Sequence, residues 1–321
     1  MYSFEELLKL YTAKFNTPHF PEEPQNLYEP AEYFLGIGGK RMRPVACLMG
    51  NELFDEINED CWKIANAIEL FHNFTLMHDD IMDDASLRRG KQTVFARNGA
   101  NAAILSGDVM LIRAYEYLSE INPELLQPVL ALFNKTAREV CEGQQYDMDF
   151  EKAENVSLDA YIEMIQLKTS VLLAASLEMG AIVGGATKNN REHIYEFGKN
   201  LGIAFQIQDD YLDCFGNPEK FGKEVGGDIR RNKKTFLLIK ALEKVSGAQK
   251  AELARLLVND ENDKVEKVLA IYKEVGVDNW AKDLLQQYAG KAMQHLDNIV
   301  VVKARKKHMK EFAEYLLQRE Y

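Results

Sequence analysis

The distribution of proline constrains this chain more than any other feature. Four of its eight prolines, Pro18, Pro21, Pro24 and Pro30, crowd one segment, and none occurs from Val45 to Asn122 or from Val129 to Asn217. A proline inside a helix costs about 3 kcal/mol, so both long stretches are free to be helical. The apolar residues agree. Ile64, Ala67, Ile68, Phe71, Thr75 and Met82 recur at helical spacing. Leu158 to Gly184 is apolar on nearly every side, which predicts a helix buried all round. Phe197, Leu201, Ala204, Phe205 and Gln208 open another helix, and Ala248–Leu257, Val265–Val275, Asn279–Val301 and Lys306–Leu317 are amphipathic. No alternating strand pattern and no short repeat is evident. Breaks are expected at Glu151–Ser157, Gly184–Asn190, Cys214–Lys233 and Asn259–Asp263, with an irregular connection near 16–30. None reads as a linker, so a single all-α domain over residues 1–321 is expected.

Composition narrows the function. The 321 residues are 46% hydrophobic and 28% charged, with a formal net charge of -11, which argues against a nucleic-acid partner held by a basic surface. A local basic cluster for a small anion stays open. Cys47, Cys61, Cys141 and Cys214 are scattered and form no CxxC pair, so neither a structural zinc site nor a disulfide framework is expected. No run reaches the ~18 apolar residues of a membrane helix, and no stable membrane insertion is expected. Residues 1–15 carry Glu5, Glu6 and an amphipathic Leu7/Leu8/Tyr11 pattern unlike a signal or transit peptide, so a cytoplasmic location is expected.

Two acidic clusters carry the chemistry. Asp79, Asp80, Asp83 and Asp84 lie in LMHDDIMDDASLRRG, and Asp209, Asp210 and Asp213 lie in FQIQDDYLDCFG. In each, two aspartates four residues apart share a helix face. Carboxylates this close repel, and burial raises their pKa values, so a cation should offset them. Magnesium suits such a site, being held by one or two carboxylates plus substrate phosphates. One such cluster could equally be a solvated helix end; two of one design on apolar helices argue for function.

The basic residues are placed to complement them. Lys40, Arg41 and Arg43 follow Gly38 and Gly39 in GGKRMRP, where Pro44 suits a helix start. Such a helix N-terminus can take an anion, although a solvated basic turn looks the same. Arg88 and Arg89 follow the first acidic cluster and could simply neutralise it. Lys168 and Thr169 interrupt the buried Leu158–Gly184 helix, where a lysine is costly unless paired. Lys223 and Lys233 flank Asp228 in the glycine-rich GKEVGGDIRRNKKT. His72 and His78 share the helix of the first cluster, where a histidine is commonly structural. Glu69 and His72 form one Glu-x-x-His pair, but a di-iron bundle needs a second and the chain has none.

Taken together, GGKRMRP, ELFHNFTLMHDDIMDDASLRRG, LKTS, FQIQDDYLD and GKEVGGDIRRNKKT resemble the trans-polyprenyl synthase family, in order and over most of the chain. The resemblance implies an all-helical isoprenoid-synthase-type bundle around a deep central cavity, a homodimer, and magnesium-dependent condensation of isopentenyl diphosphate with an allylic diphosphate. By the same resemblance Asp79 and Asp83 are first-motif magnesium ligands supported by Asp80, and Asp209 is a second-motif ligand supported by Asp210 and Asp213. Lys40, Arg43, His72 and Arg89 would bind isopentenyl diphosphate. Arg88, Lys168, Thr169, Gln206, Lys223 and Lys233 would bind the allylic diphosphate, with residues 216–233 as a lid.

The resemblance also bears on product length. Phe74 lies five residues before Asp79, roughly 7.5 Å along a helix at about 1.5 Å per residue, and Thr75 lies four before. In the family a large residue here floors the product groove; one aromatic followed by a small residue implies a C20 product, with C15 next, unless Phe74 only packs the core. A class I terpene cyclase shares the fold but is expected to lack both the full DDYLD and GGKRMRP. A regulatory subunit would be expected to lose an aspartate motif. A helical scaffold would leave Lys168 unexplained.

Overall fold

The computed structural model describes residues 1–216, 225–259 and 261–318. Nearly all regular structure among them is helical. Two compact units emerge: Met1–Phe133 with Ala175–Arg191 and Val301–His308, and Asn134–Ala174 with Glu192–Val300 and Met309–Tyr321.

The first unit opens with α1 (Phe4–Phe15), α2 (Gln25–Gly36), α3 (Met42–Glu52) and α4 (Glu59–Met82). It continues with α5 (Val94–Asn98), α6 (Ala100–Ser119) and the start of α7 (Pro123–Lys152). Ser3 and Glu6 make a capping box on α1, and the Asn58 side chain accepts from Cys61 N to start α4. α6 turns a small-residue face inward, with Ala103, Ser106, Gly107 and Ala114 all buried. Tyr11, Phe34, Leu48, Ile64, Ile68 and Phe71 fill the core of this unit.

The irregular connection expected near 16–30 is shorter than that. Helix α2 begins at Gln25 and contains Pro30. Pro30 sits in the second turn, so it forfeits one main-chain bond, to Asn26, while its buried ring contributes to the core. A hairpin also went undetected in the sequence: Leu87–Arg88 pairs antiparallel with Lys91–Gln92. Arg89 and Gly90, at φ 52° and 75°, form the two-residue turn that such a hairpin favours. Two-residue strands contain no alternation to read.

α8 (Leu158–Ile165), in the second unit, runs through a π-helical turn, Gln166–Ser170, into α9 (Val171–Val183), which belongs to the first unit from Ala175 onward. The expected buried helix is therefore continuous but widened where Lys168 and Thr169 lie. Its length was underestimated as a membrane matter: Leu158–Val183 is long and apolar enough to span a bilayer, but 72% of its most apolar window is buried in protein. That is the environment of a core helix. α10 (Lys188–Phe215), α11 (Gly227–Arg230), α12 (Phe236–Lys244), α13 (Gly247–Val258), α14 (Lys264–Glu274), α15 (Val277–Asn298) and α16 (Lys307–Leu317) follow. Tyr161, Ile165, Ile207, Phe236, Leu253 and Tyr272 belong to the core of this unit.

Two glycines seat the π turn. A Cβ on Gly143 of α7 would lie 2.2 Å from Lys168 N, and one on Gly202 of α10 would lie 2.8 Å from Ser170 Cα. Only hydrogen fits at either contact. Gly202→Ala is therefore expected to destabilise the protein by about 1–3 kcal/mol through overpacking. Gly290→Ala, on the exposed side of α15 with nothing near its Cβ, is expected to stabilise by about 0.5–1 kcal/mol. Urea midpoints of the two variants check both signs.

Candidate active site

In the first unit the anion cradle begins where α3 begins. Gly38 takes φ 93° and Arg41 φ 46°, so the chain enters α3 through a left-handed turn. The three cations of GGKRMRP then separate. Arg41 is buried and pairs with the buried Glu69 of α4, and its Nη2 donates to the Leu35 carbonyl at 2.7 Å. Glu69 also accepts from Asn73 Nδ2 at 2.9 Å. Arg41 is thus a scaffold residue. Lys40 is exposed, and the Arg89 guanidinium lies over Gly39 beside it, where a Cβ would approach Arg89 Nη1 to 2.7 Å. Arg43 Nη1 donates to His72 Nε2 at 3.1 Å. Burial pushes His72 well below its ordinary pKa, and Arg43, Arg89, Arg88 and Arg41 push it further. The imidazole is therefore a neutral acceptor among cations. Burial also lowers Arg43, to about 10, and its Nε is buried with no partner within the fold. Arg43, His72 and Arg89 thus lie close enough to act on one another, near the Glu69 carboxylate, and an added anion would relieve their positive charge further, while Lys40 is exposed.

The first acidic cluster ends α4. Asp84 at φ 49° closes the helix: its N–H donates to the Ile81 carbonyl, and Ala85 N–H donates to the Asp80 carbonyl at 2.9 Å. Asp79 and Asp83 lie one turn apart at this end, where the helix dipole is negative and carboxylates are disfavoured. Asp80 differs from both. It is buried and takes a bidentate grip from Arg88, with Nε at 2.9 Å and Nη2 at 2.7 Å from Oδ1. Burial raises the Asp80 pKa, and the Arg88 bonds work against that rise. Arg88 is thus the partner of Asp80 in this structure. Thr75 Oγ1 donates to the His72 carbonyl at 2.8 Å, and Phe74 lies against the rings of Phe71 and His78.

In the second unit the groups converge on the π turn. Lys168 Nζ donates to Asp147 Oδ2 at 2.7 Å, so the costly lysine is paired. Asp147 and Gln206 each lie one turn beyond the glycines that seat this turn, Gly143 and Gly202. Thr169 Oγ1 donates to Gln206 Oε1 at a long 3.5 Å, and Gln206 Nε2 donates to Asp210 Oδ1 at 2.9 Å. The Tyr161 hydroxyl donates to the other Asp210 oxygen. Burial lifts Asp210 to about 6, against the pull of Lys233 and with the push of Asp228. Lys233 shares this pocket, which has about 50 Å³ of room. Burial acts to lower the Lys233 pKa, but Asp210, Asp147 and Asp228 outweigh it and the net direction is up. Lys234 Nζ, next in sequence, caps the end of α7 by donating to the Phe150 carbonyl at 2.8 Å.

Asp209 faces partly to solvent on α10. Asp213 Oδ2 accepts from Asp228 N at 3.0 Å and so holds the start of α11. Lys223 and much of the expected 216–233 lid lie outside the described residues. Sequence reasoning missed Asp147 and Tyr161. The need for a partner to Lys168 was readable, but its identity, twenty-one residues away, was not.

Asp79 and Asp83 form an oxygen-only pair, since His78 between α4 and α6 turns its Nε2 to the Ile104 carbonyl. Among the described residues no three His, Cys, Asp or Glu side chains are grouped to hold an ion unaided. Such a donor set fits a hard cation that draws its other ligands from water and substrate phosphate.

The separation of Arg41 from its neighbours can be measured. Arg41→Met, which leaves Glu69 buried without its partner, is expected to cost about 3–5 kcal/mol of stability. Lys40→Ala is expected to change stability by no more than about 0.5 kcal/mol. Chemical denaturation of both variants provides the comparison.

Known proteins resemble this chain in sequence and in fold. A family model described as polyprenyl synthetase matches residues 24–275. A short chain isoprenyl diphosphate synthase of Methanothermobacter thermautotrophicus is 35% identical over 299 residues, covering 93% of this chain and 92% of the relative. A geranylgeranyl diphosphate synthase of Saccharolobus solfataricus is 36% identical over 302 residues, covering 92% and 91%. The crystal structure of a geranylgeranyl pyrophosphate synthetase from Pyrococcus horikoshii Ot3 superposes with a TM-score of 0.91 at 36% identity, over 98% of both chains. Likeness of this extent, in sequence and in fold, makes the chain a member of the polyprenyl synthetase family.

Proposed function

We propose that this protein is a short-chain trans-prenyltransferase that condenses isopentenyl diphosphate with dimethylallyl, geranyl and farnesyl diphosphates, releasing diphosphate, and that its main product is geranylgeranyl diphosphate. The observation that carries the reading is the cationic cradle of Arg43, His72 and Arg89. Its neutral histidine and partnerless Arg43 Nε are suited to a diphosphate.

The reaction ionises the allylic C–O bond to a cation and diphosphate, adds the double bond of isopentenyl diphosphate to that cation, and loses a proton to the departing diphosphate. Asp79 and Asp83 on α4, and Asp209 on α10, would each serve as magnesium ligands, and the metal would supply positive charge to a diphosphate. Lys40, Arg43, His72 and Arg89 would hold isopentenyl diphosphate in place, turning the bond-forming step into an intramolecular one. Lys168, held by Asp147, and Lys233 would take the allylic diphosphate, and Lys223 would join them. The Thr169 hydroxyl and the Gln206 amide, bonded to each other, would present their oxygens to the cation. Asp210, fixed by Tyr161 and Gln206, would keep that pair in register. Phe74 followed by Thr75 supports C20 as the main product, with C15 next.

The test is incubation of labelled isopentenyl diphosphate with each of the three primers, with magnesium or with chelator, followed by hydrolysis and sizing of the products. Magnesium-dependent elongation ending mainly at C20 is expected. Asp79→Asn is expected to lower kcat on the order of 10²-fold or more. No consumption of isopentenyl diphosphate with any primer would overturn the reading.

A second copy of the chain is the proposed partner for the outer face of α6. Ile104, Leu105, Ile112 and Tyr115 form an apolar stripe there, 38–59% exposed. Leu105→Glu combined with Ile112→Glu is expected to convert a dimer to a monomer in light scattering. A wild-type monomer would remove the proposal.

A further inference from the structure

Phe74 is held between two rings. One turn earlier on α4, the Phe71 ring lies 5.9 Å from it, and one turn later the His78 ring meets it edge-on at 4.6 Å. The two sides are not equivalent. Phe71 is 1% exposed and is backed by Phe133 at 5.3 Å, which in turn is backed by Tyr115 at 5.3 Å. That side is backed by aromatics packed edge to face. On the other side stands the imidazole of His78.

The seat of this imidazole is on α6. Its Nε2 lies 3.2 Å from the Ile104 carbonyl oxygen, which can only accept, so Nε2 carries the hydrogen. The Asp108 carboxylate lies 3.8 Å from the same nitrogen. The ring fits because residue 107 is glycine: a Cβ there would lie 2.4 Å from Nε2 and 2.6 Å from Cδ2. The hydrogen bond and the missing Cβ of Gly107 together seat the ring against α6, in contact with Phe74. From that position it sets where Phe74 can go.

We propose that His78 and Gly107 are specificity-determining positioning residues that fix product length by holding Phe74 at the floor of the tail groove. The proposal rests on the reading that Phe74 is that floor. Without the His78 ring, Phe74 has room to rotate along α4 and deepen the groove. His78 immediately precedes Asp79 on α4, whereas Gly107, which admits its ring, lies on α6, a helix with no residue in the aspartate or basic motifs.

The experiment compares product ratios from geranyl diphosphate and isopentenyl diphosphate, at equal conversion, for wild type, Phe74→Ala, His78→Ala, His78→Phe and Gly107→Ala. A ratio taken at equal conversion reports length even from a slow variant. His78→Ala is expected to raise the C25 to C20 ratio about tenfold, the size of effect that a methylene or two of pocket space produces. His78→Phe, which keeps a ring against Phe74, is expected to stay within about twofold of wild type. Gly107→Ala, which displaces the imidazole from its seat, is expected to move the ratio by about threefold or more. If Phe74→Ala lengthens the product while His78→Ala and Gly107→Ala leave it unchanged, the role of His78 and Gly107 is refuted and the floor stands. If Phe74→Ala also changes nothing, Phe74 is not the floor, and both ideas fall.

Discussion

A charge placed on an apolar helix must be matched by an opposite charge, and that requirement organises this molecule. Arg41 answers Glu69, Arg88 answers Asp80, and Lys168 answers Asp147. Asp210 is answered by a phenol, an amide and a nearby lysine. Each match uses residues from two elements, so each also ties a helix or hairpin in place. Beside these pairs, charge is concentrated at two kinds of site. One is the arginine and histidine cluster at the start of α3, and the other is the pair of acidic helix ends. These groups are of opposite sign, as a diphosphate and a cation would require.

The helical class was legible because proline and apolar spacing act locally. The positions of the aspartates on their helix faces were legible for the same reason. Other features depended on contacts the chain makes only when folded. Arg41, Lys40 and Arg43 are equivalent as letters, and only the burial of Glu69 makes one of them structural. The π turn is invisible to a 3.6-residue period because it adds a residue without breaking the apolar run. Asp147 and Tyr161 lie in stretches that no motif marks, and they matter because Gly143 lets α7 reach Lys168 and because the Tyr161 hydroxyl reaches Asp210. Pro30 misled in the opposite direction: a single forfeited bond in a second turn is tolerable when the ring is buried.

The second acidic motif divides its labour more than its regular spacing implies. Asp210 is committed to the π-turn network, and Asp213 anchors the backbone at Asp228. Asp209 is left partly facing solvent. The first motif divides in the same way, with Asp80 given to Arg88 and Asp84 to closing the helix. A string of aspartates is therefore one or two candidate ligands set among supports, and counting carboxylates overstates the site.

The widened turn at Gln166–Ser170 also limits how the gene can change. A π turn equals one residue inserted into an α-helix, so deleting one residue here would heal the backbone and preserve every helical bond. Because the widened turn absorbs the extra residue, the helix beyond it would keep nearly its present phase and length. What would be lost is the turn itself, which presents Lys168 to Asp147 and Thr169 to Gln206. A change that improves the helix as a helix would thus dismantle the surroundings of Lys168 and Thr169.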